Sequence, residues 1–437
     1  MRRLIAVLCA LAVAVGIGAV WFAASPSNTQ LLQRAREKPV SPRPDSALWG
    51  SPSVLAEMVE ARAERGEDVK FLLGSSELTQ SIEDSAYPVH FFEEHNFGFR
   101  VMCIGGAGYQ SLWSAIMTGA LDEEGVIPGR KIALLLGNCW FYEGGCTPEA
   151  FLNSFSDEAL QECLMNPGLS SATKAGICRR VEELGVSSQT VEDLSSTTLI
   201  GEMNRFLRGL LPEKERRQQL ADAIDNSCQR DSSSSALELE FDWAAFFDKV
   251  ESQGKAACTN NDVGINDWYY SEYAERWFEE NQKKDFESFS RWSDEEFGDL
   301  ALFLNVCKDL NIEPLLIIEP AKGQYYDTTQ YDQKSREVLY ERMRGFLDEA
   351  GVDYLDLSYY DYDLYYLRDV MHMAWKGWAQ IDRALVSFYS GESVLDEKSP
   401  SFPEYGDETG AEHIAEEAEE EMIEAEGAGK EVLNGGQ

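Results

Sequence analysis

The 437 residues carry 38 Lys and Arg against 77 Asp and Glu, a formal net charge of −39. That balance excludes nucleic acid as a partner, because neutralising phosphates requires clustered cations. Nine cysteines with no CxxC pair, and four histidines with no His-rich cluster, exclude a zinc site of the usual spacing.

Met1-Arg2-Arg3 precedes an uncharged apolar run from Leu4 to Ala24, about 21 residues, enough for one helix across a ~30 Å hydrocarbon core. Residues 1–25 read as an N-terminal transmembrane anchor in the cell membrane. Arg2 and Arg3 before the run orient the N-terminus to the cytoplasm and send everything beyond about Ser25 outside. A cleaved signal peptide is the competing reading, but Trp21 and Phe22 spoil the small-residue cleavage frames. Residues 26–50, punctuated by Pro26 and Pro39 to Pro44, read as a polar stalk. Beyond Cys9, eight cysteines face an oxidising side, where pairs such as Cys139/Cys146 and Cys163/Cys178 are open to bridging and connectivity is not readable.

A helical pattern over Val54 to Arg65 leads to an apolar run, Val69 to Leu73, that ends at Gly74. The pattern of a buried strand entering a turn recurs at Phe99 to Ile104, Lys131 to Leu136, Leu315 to Ile318 and Val352 to Leu357. Helical stretches at Ser111 to Gly119, Asp294 to Leu310 and Ser335 to Ala350 alternate with these strands. The fold class is therefore α/β, a parallel five-stranded sheet flanked by helices over residues 51–393. From about 147 to 290 the strand signal gives way to polar, helix-rich sequence with aromatic clusters, a large helical insertion of the kind that shapes a ligand crevice. Residues 394–437, with Glu416 to Glu421 nearly all acidic, read as a disordered tail.

Histidine is the side chain best suited to exchanging a proton near neutral pH. His90 and His95 flank Phe91-Phe92 and read as packing residues, and His413 lies in the tail. His372 stands three residues after Asp369, a spacing that lets a carboxylate in a tight turn reach Nδ1 and fix the tautomer. A serine nucleophile has a suitable setting in Leu73-Gly74-Ser75-Ser76-Glu77, where a strand ends in a small-residue turn at the sheet's carboxyl edge. The plain alternative is that Ser75 or Ser76 caps the following helix.

Gly74-Ser75-Ser76-Glu77-Leu78 and Asp369-Val370-Met371-His372-Met373-Ala374-Trp375-Lys376-Gly377-Trp378 resemble the first and last blocks of the DltD family. Val263-Gly264-Ile265-Asn266-Asp267 and Pro320-Ala321-Lys322-Gly323, with Tyr326-Asp327, agree in the same order. The resemblance covers roughly residues 30 to 393. It implies an SGNH-hydrolase-like, flavodoxin-like core and a serine acyltransferase or esterase of teichoic acid D-alanylation. Its catalytic residues would be Ser76 as nucleophile, His372 as base and Asp369 as orienting carboxylate, with no cofactor and no metal. For the oxyanion hole the resemblance points to Gly108, in Gly105-Gly106-Ala107-Gly108, and to Asn138, where Gly137-Asn138-Cys139-Trp140 departs from the family's sequence. Gly108 equally reads as a turn glycine, and Asn138 as a turn cap.

The implied partners are a lipoteichoic acid acceptor, a membrane-bound O-acyltransferase (MBOAT) and a D-alanyl carrier protein, in a Gram-positive type envelope. Membrane lipid is contacted through the N-terminal helix. An SGNH-type O-acyl esterase of cell-wall carbohydrate would use the same three residues, and a non-catalytic scaffold of the D-alanylation complex is the third reading. The tryptophans after His372 read as packing, and Asp361 to Asp363 as a solvated acidic loop, with attraction of a cationic alanyl amine as the alternative.

Overall fold

Four of the five apolar runs become strands whose side chains are buried on both faces, which suits a sheet covered by helices on either side, while the last, at the sheet's edge, is only partly buried. In the computed structural model, which describes residues 26–37, 46–79, 82–199, 201, 203, 212–226, 237–238, 240–281 and 292–392, they are β1 (Asp68–Gly74), β2 (Phe99–Gly105), β3 (Lys131–Leu136), β4 (Glu313–Ile318) and β5 (Asp353–Asp356). They form one parallel sheet in the order β2-β1-β3-β4-β5. Leu72, Leu73, Leu134, Leu135, Leu316 and Ile317 are wholly buried at its centre. Around it lie α1 (Pro52–Ala63), α2 (Pro88–Glu94), α3 (Ser111–Glu123), α4 (Asp294–Asp309), α5 (Gln333–Ala350) and α6 (Trp375–Ser390).

The order reverses direction between β1 and β3. In an open parallel sheet the adjacent loops then diverge and leave a crevice at the carboxyl ends of the strands. Gly74-Ser75-Ser76 after β1, Gly137-Asn138 after β3 and Glu319 after β4 all leave the sheet on that edge.

Between β3 and β4 the described residues are helical, as the polar sequence there predicts. Four successive helices, starting at Pro148, Asp157, Ser171 and Ser188, each open on a Ser or Thr hydroxyl that accepts the third backbone N–H at 3.1 to 3.2 Å, the ordinary helix N-cap. Within the segment expected to be a stalk, Asn28–Glu37 forms a helix with Leu31 and Ala35 buried, because their spacing puts both on one face. Among the described residues no helix is long and apolar enough to cross a membrane. The expected span at residues 1–25 and the acidic tail at 394–437 lie outside the described residues. The seven described cysteines are free thiols.

α3 and α4 meet at a buried carboxyl. Glu296 accepts the Ser111 N–H at the start of α3, at 3.1 Å, a favourable site for negative charge. Burial, and then the neighbouring Asp299, nevertheless push Glu296 up to about 8, against the bonds from Ser111 and the charge of Arg180. A carboxyl raised above its unfolded value contributes most below the unfolded pKa, and that stability is lost as pH climbs through the folded one. The melting temperature is therefore expected to fall between about pH 5 and about pH 8. Glu296→Gln, which keeps the acceptor oxygen, should flatten that slope in thermal melts across the range. A slope identical to wild type would remove Glu296 as its source.

Candidate active site

β1 ends at Gly74, over which three side chains close. A Cβ there would meet Leu135 and Leu78 at 3.1 Å and overlap the Glu77 carboxyl. The chain then turns through Ser75 into a single turn of 3-10 helix at Ser76–Leu78. The turn separates the two serines. The Ser75 hydroxyl is buried and donates to the Gly106 carbonyl at 3.1 Å, whereas the Ser76 hydroxyl faces His372, with Oγ 2.9 Å from Nε2.

His372 sits in a tight loop just before α6. The loop is closed by the Arg368 N–H donating to the His372 carbonyl at 2.9 Å and by a bridge between Leu367 and Met373. Asp369 organises it. One carboxylate oxygen accepts the N–H groups of Met371 and His372 at 2.9 and 2.8 Å, and the other lies 2.7 Å from His372 Nδ1. Burial works to raise the Asp369 pKa. The hydrogen bond and charge of His372, with Arg368 and the Met371 N–H, outweigh it and hold the carboxyl below its ordinary value. Asp369 thus stays ionised at neutral pH, which keeps the proton on Nδ1 and leaves Nε2 as the acceptor facing Ser76.

Asp84 fixes the two loops against each other. Its buried carboxylate accepts the Ala86 N–H at 2.9 Å and, across 291 residues of sequence, the Trp375 N–H at 2.6 Å. Trp375 itself takes a positive φ of 27° at the first residue of α6, a strained backbone that this bond helps to hold. Trp375 and Trp378 are wholly buried and serve packing. The aromatic segment around Asn266 is tied in by the Asn266 N–H donating to the Arg368 carbonyl at 2.8 Å and by Lys322 Nζ donating to the Val263 carbonyl at 3.0 Å.

Two cavities flank the site. The smaller, of about 10 Å³, is lined by Ser76, Glu77, Asn138, Cys139, Glu319 and His372 among others, and holds about one water-sized group. The larger, of about 580 Å³, opens on the other side of His372 and Asp369 and is walled by Asn266, Trp268, Tyr269, Tyr273 and Trp277.

Of the residues singled out in the sequence, Ser76, His372 and Asp369 come together, and Asn138 lines the small cavity with Ser76 and His372. Asn138 is also bonded to the Tyr340 hydroxyl. Gly108 does not line this cavity: it takes a left-handed backbone, with φ +84°, and packs on Ala150. His90 and His95 lie elsewhere, His90 on the Asp84 carbonyl and His95 on Glu238 among phenylalanines. Asp361 requires a correction. It is buried, not solvated, and is bonded to Arg336, Tyr340 and the Ala321 N–H at 2.7 to 2.9 Å. Asp84 and Glu319 were missed. The only sequence signal for Glu319 is a carboxylate directly after the apolar run Leu315 to Ile318, and Asp84 gives none.

Sheet and site together define an α/β protein with a Ser–His–Asp constellation at the carboxyl edge of a parallel sheet. The family model described as DltD protein matches residues 52–390, and the chain belongs to the DltD family. It is 23% identical over 330 residues to Protein DltD of Bacillus subtilis (strain 168), covering 74% of this chain and 83% of that one. Identity to Protein DltD of Staphylococcus aureus (strain NCTC 8325 / PS 47) is 22% over 335 residues, 75% and 83% of the two chains. To Protein DltD of Lacticaseibacillus rhamnosus it is 24% over 331 residues, 72% and 76% of the two.

Proposed function

We propose that this chain transfers D-alanyl groups to teichoic acid outside the cytoplasm, through an acyl-enzyme on Ser76 of an SGNH-hydrolase-like core. The observation that carries the reading is the unbroken hydrogen-bond chain from Ser76 Oγ to His372 Nε2, at 2.9 Å, and from His372 Nδ1 to Asp369, at 2.7 Å. The 2-1-3-4-5 strand order, with the serine in the crevice at its reversal, supports the core assignment.

His372 takes the Ser76 proton as Oγ bonds to the acyl carbonyl carbon, and Asp369 stabilises the imidazolium that forms. Collapse of the tetrahedral adduct breaks the carbon–sulfur or carbon–oxygen bond of the donor, and the departing group receives the proton from His372. A polyol hydroxyl of the acceptor then attacks the Ser76 ester with His372 again as base. The new ester leaves, and Ser76 recovers its proton. The oxyanion is met by the Ser76 N–H. General base assistance contributes ~10² to 10⁴ in rate and one oxyanion donor about 10² to 10³.

On this reading residues 1–25 anchor the chain in the membrane. The activated acyl group arrives from an MBOAT partner supplied by a D-alanyl carrier protein, and lipoteichoic acid is the acceptor. The aromatic cavity beside His372 has room for the donor or acceptor chain.

The test incubates the full chain in detergent with a D-alanyl thioester. Wild type is expected to gain a D-alanyl adduct on the peptide containing Ser76, and Ser76→Ala none. Ser75→Ala should keep the adduct, because the Ser75 hydroxyl is turned away to Gly106. In cells lacking the native protein, Ser76→Ala should leave teichoic acid without D-alanine. Full D-alanylation with that variant, or an adduct on Ser75, would refute the proposal.

A further inference from the structure

Glu319 is the one carboxyl of the small cavity that nothing in the site explains. It follows β4 directly, its backbone N–H continues the ladder by donating to the Leu136 carbonyl at 3.1 Å, and the residue lines the small cavity. The side chain is only 3% exposed, and its Oε1 oxygen has no hydrogen-bond partner. Room is kept for it by Gly137, where a Cβ would stand 3.3 Å from Glu319 Oε2 and 2.9 Å from the Trp140 indole nitrogen. A second carboxyl, Glu77, lines the same cavity and is bonded to the Ser75 N–H. Burial, and then the charge of Glu77, push Glu319 well above the ordinary carboxyl range. Burial raises Glu77 as well, against the Ser75 N–H and the charges of His372 and Arg368.

A buried polar group without a partner costs free energy unless something binds there. The cavity that holds this one also holds the nucleophile, and it has the size of one water or one ammonium. An α-amino acyl group bound to Ser76 carries its cation two bonds from the reacting carbonyl carbon, and so within reach of the same small cavity. An acetyl group would leave the carboxyl as unpartnered as before.

We infer that Glu319, backed by Glu77, receives the α-ammonium of the acyl group, so that the small cavity at Ser76 is an aminoacyl pocket selecting a short α-amino acyl donor over its uncharged isostere. This rests on the acyl-enzyme reading above. It also separates a D-alanyl transferase from an O-acetyl esterase built on the same three residues.

The experiment compares two thioesters of N-acetylcysteamine on the full chain in detergent, one carrying D-alanyl and one carrying isobutyryl, in which a methyl replaces the ammonium. Acylation of Ser76 is followed by mass spectrometry, and a fluorophosphonate reports whether Ser76 is reactive at all. Wild type is expected to favour D-alanyl by roughly 10⁴-fold, as sites with a buried polar group reject analogues that leave it unpaired. Glu319→Gln should bring the two donors to parity by slowing D-alanyl alone, with fluorophosphonate labelling unchanged.

Equal use of both donors by wild type overturns the inference even if Glu319→Gln fails to fold, and it leaves the serine reading standing. An equal loss on both donors in Glu319→Gln also overturns it, since that marks a structural role. Fluorophosphonate labelling without D-alanyl acylation overturns it too. If neither the thioesters nor the fluorophosphonate modifies Ser76 in wild type, the acyl-enzyme reading itself fails.

Discussion

His372→Ala is expected to slow acylation of Ser76 by roughly 10⁴-fold or more. A serine hydroxyl is a weak nucleophile unless its proton has somewhere to go, and on the proposed mechanism Nε2, 2.9 Å away, takes it. Among the described residues no other histidine is placed to take over. Glu77 is committed to the Ser75 N–H, and His90 and His95 are engaged elsewhere. The loop should survive the change, because Asp369 still accepts the backbone N–H groups of residues 371 and 372 at 2.9 and 2.8 Å. Single-turnover acylation by the D-alanyl thioester, with thermal melts as the control for folding, is the measurement. A folded His372→Ala variant that acylates at the wild-type rate would mean that this histidine is not the base.

Gly105→Ala should destabilise the domain by ~3 kcal/mol or more. Gly105 pairs with Gly74 at the carboxyl ends of β2 and β1, and a Cβ on it would overlap the Gly74 carbonyl and touch Leu78 at 3.1 Å. Backbone cannot swing aside as a flexible side chain can, so the strands must part just where the chain turns into Ser75 and Ser76. Acylation should fall together with stability. Gly298→Ala provides the contrast: it lies exposed in α4 with nothing within 4 Å of its Cβ and should gain about 0.5 to 1 kcal/mol. Denaturant midpoints of the two variants settle the matter, and a wild-type midpoint for Gly105→Ala would contradict the close packing of the two glycines.

Four of the strands were legible because parallel strands buried on both faces must be nearly continuous apolar runs, and each such run stops where the chain leaves the core; β5, at the edge, is shorter and only partly buried. Of the site, Ser76, Asp369 and His372 could be named from local patterns and from a resemblance, but no local pattern distinguishes Ser76 from Ser75. That choice lies in where the turn after β1 points each hydroxyl, one at the Gly106 carbonyl and the other at His372. Gly108 and Asp361 show the limit from the other side. A glycine run after a strand and an acidic pair in a loop look alike whether they face a cavity, a helix or water, and the insertion residue Ala150 and the α5 residue Arg336 decide it.

The amino-acid sequence by itself determined the α/β alternation, the exclusion of nucleic acid and the Asp369-to-His372 spacing, since each depends on neighbouring residues or on totals. Only the tertiary structure decided that Ser76 meets a histidine 296 positions away, that Asp84 ties its own loop to the start of α6, and that Glu319 lines one cavity with Ser76. Those contacts join strand ends that are distant in sequence and adjacent in the sheet, so strand order, which no local pattern encodes, had to be known first.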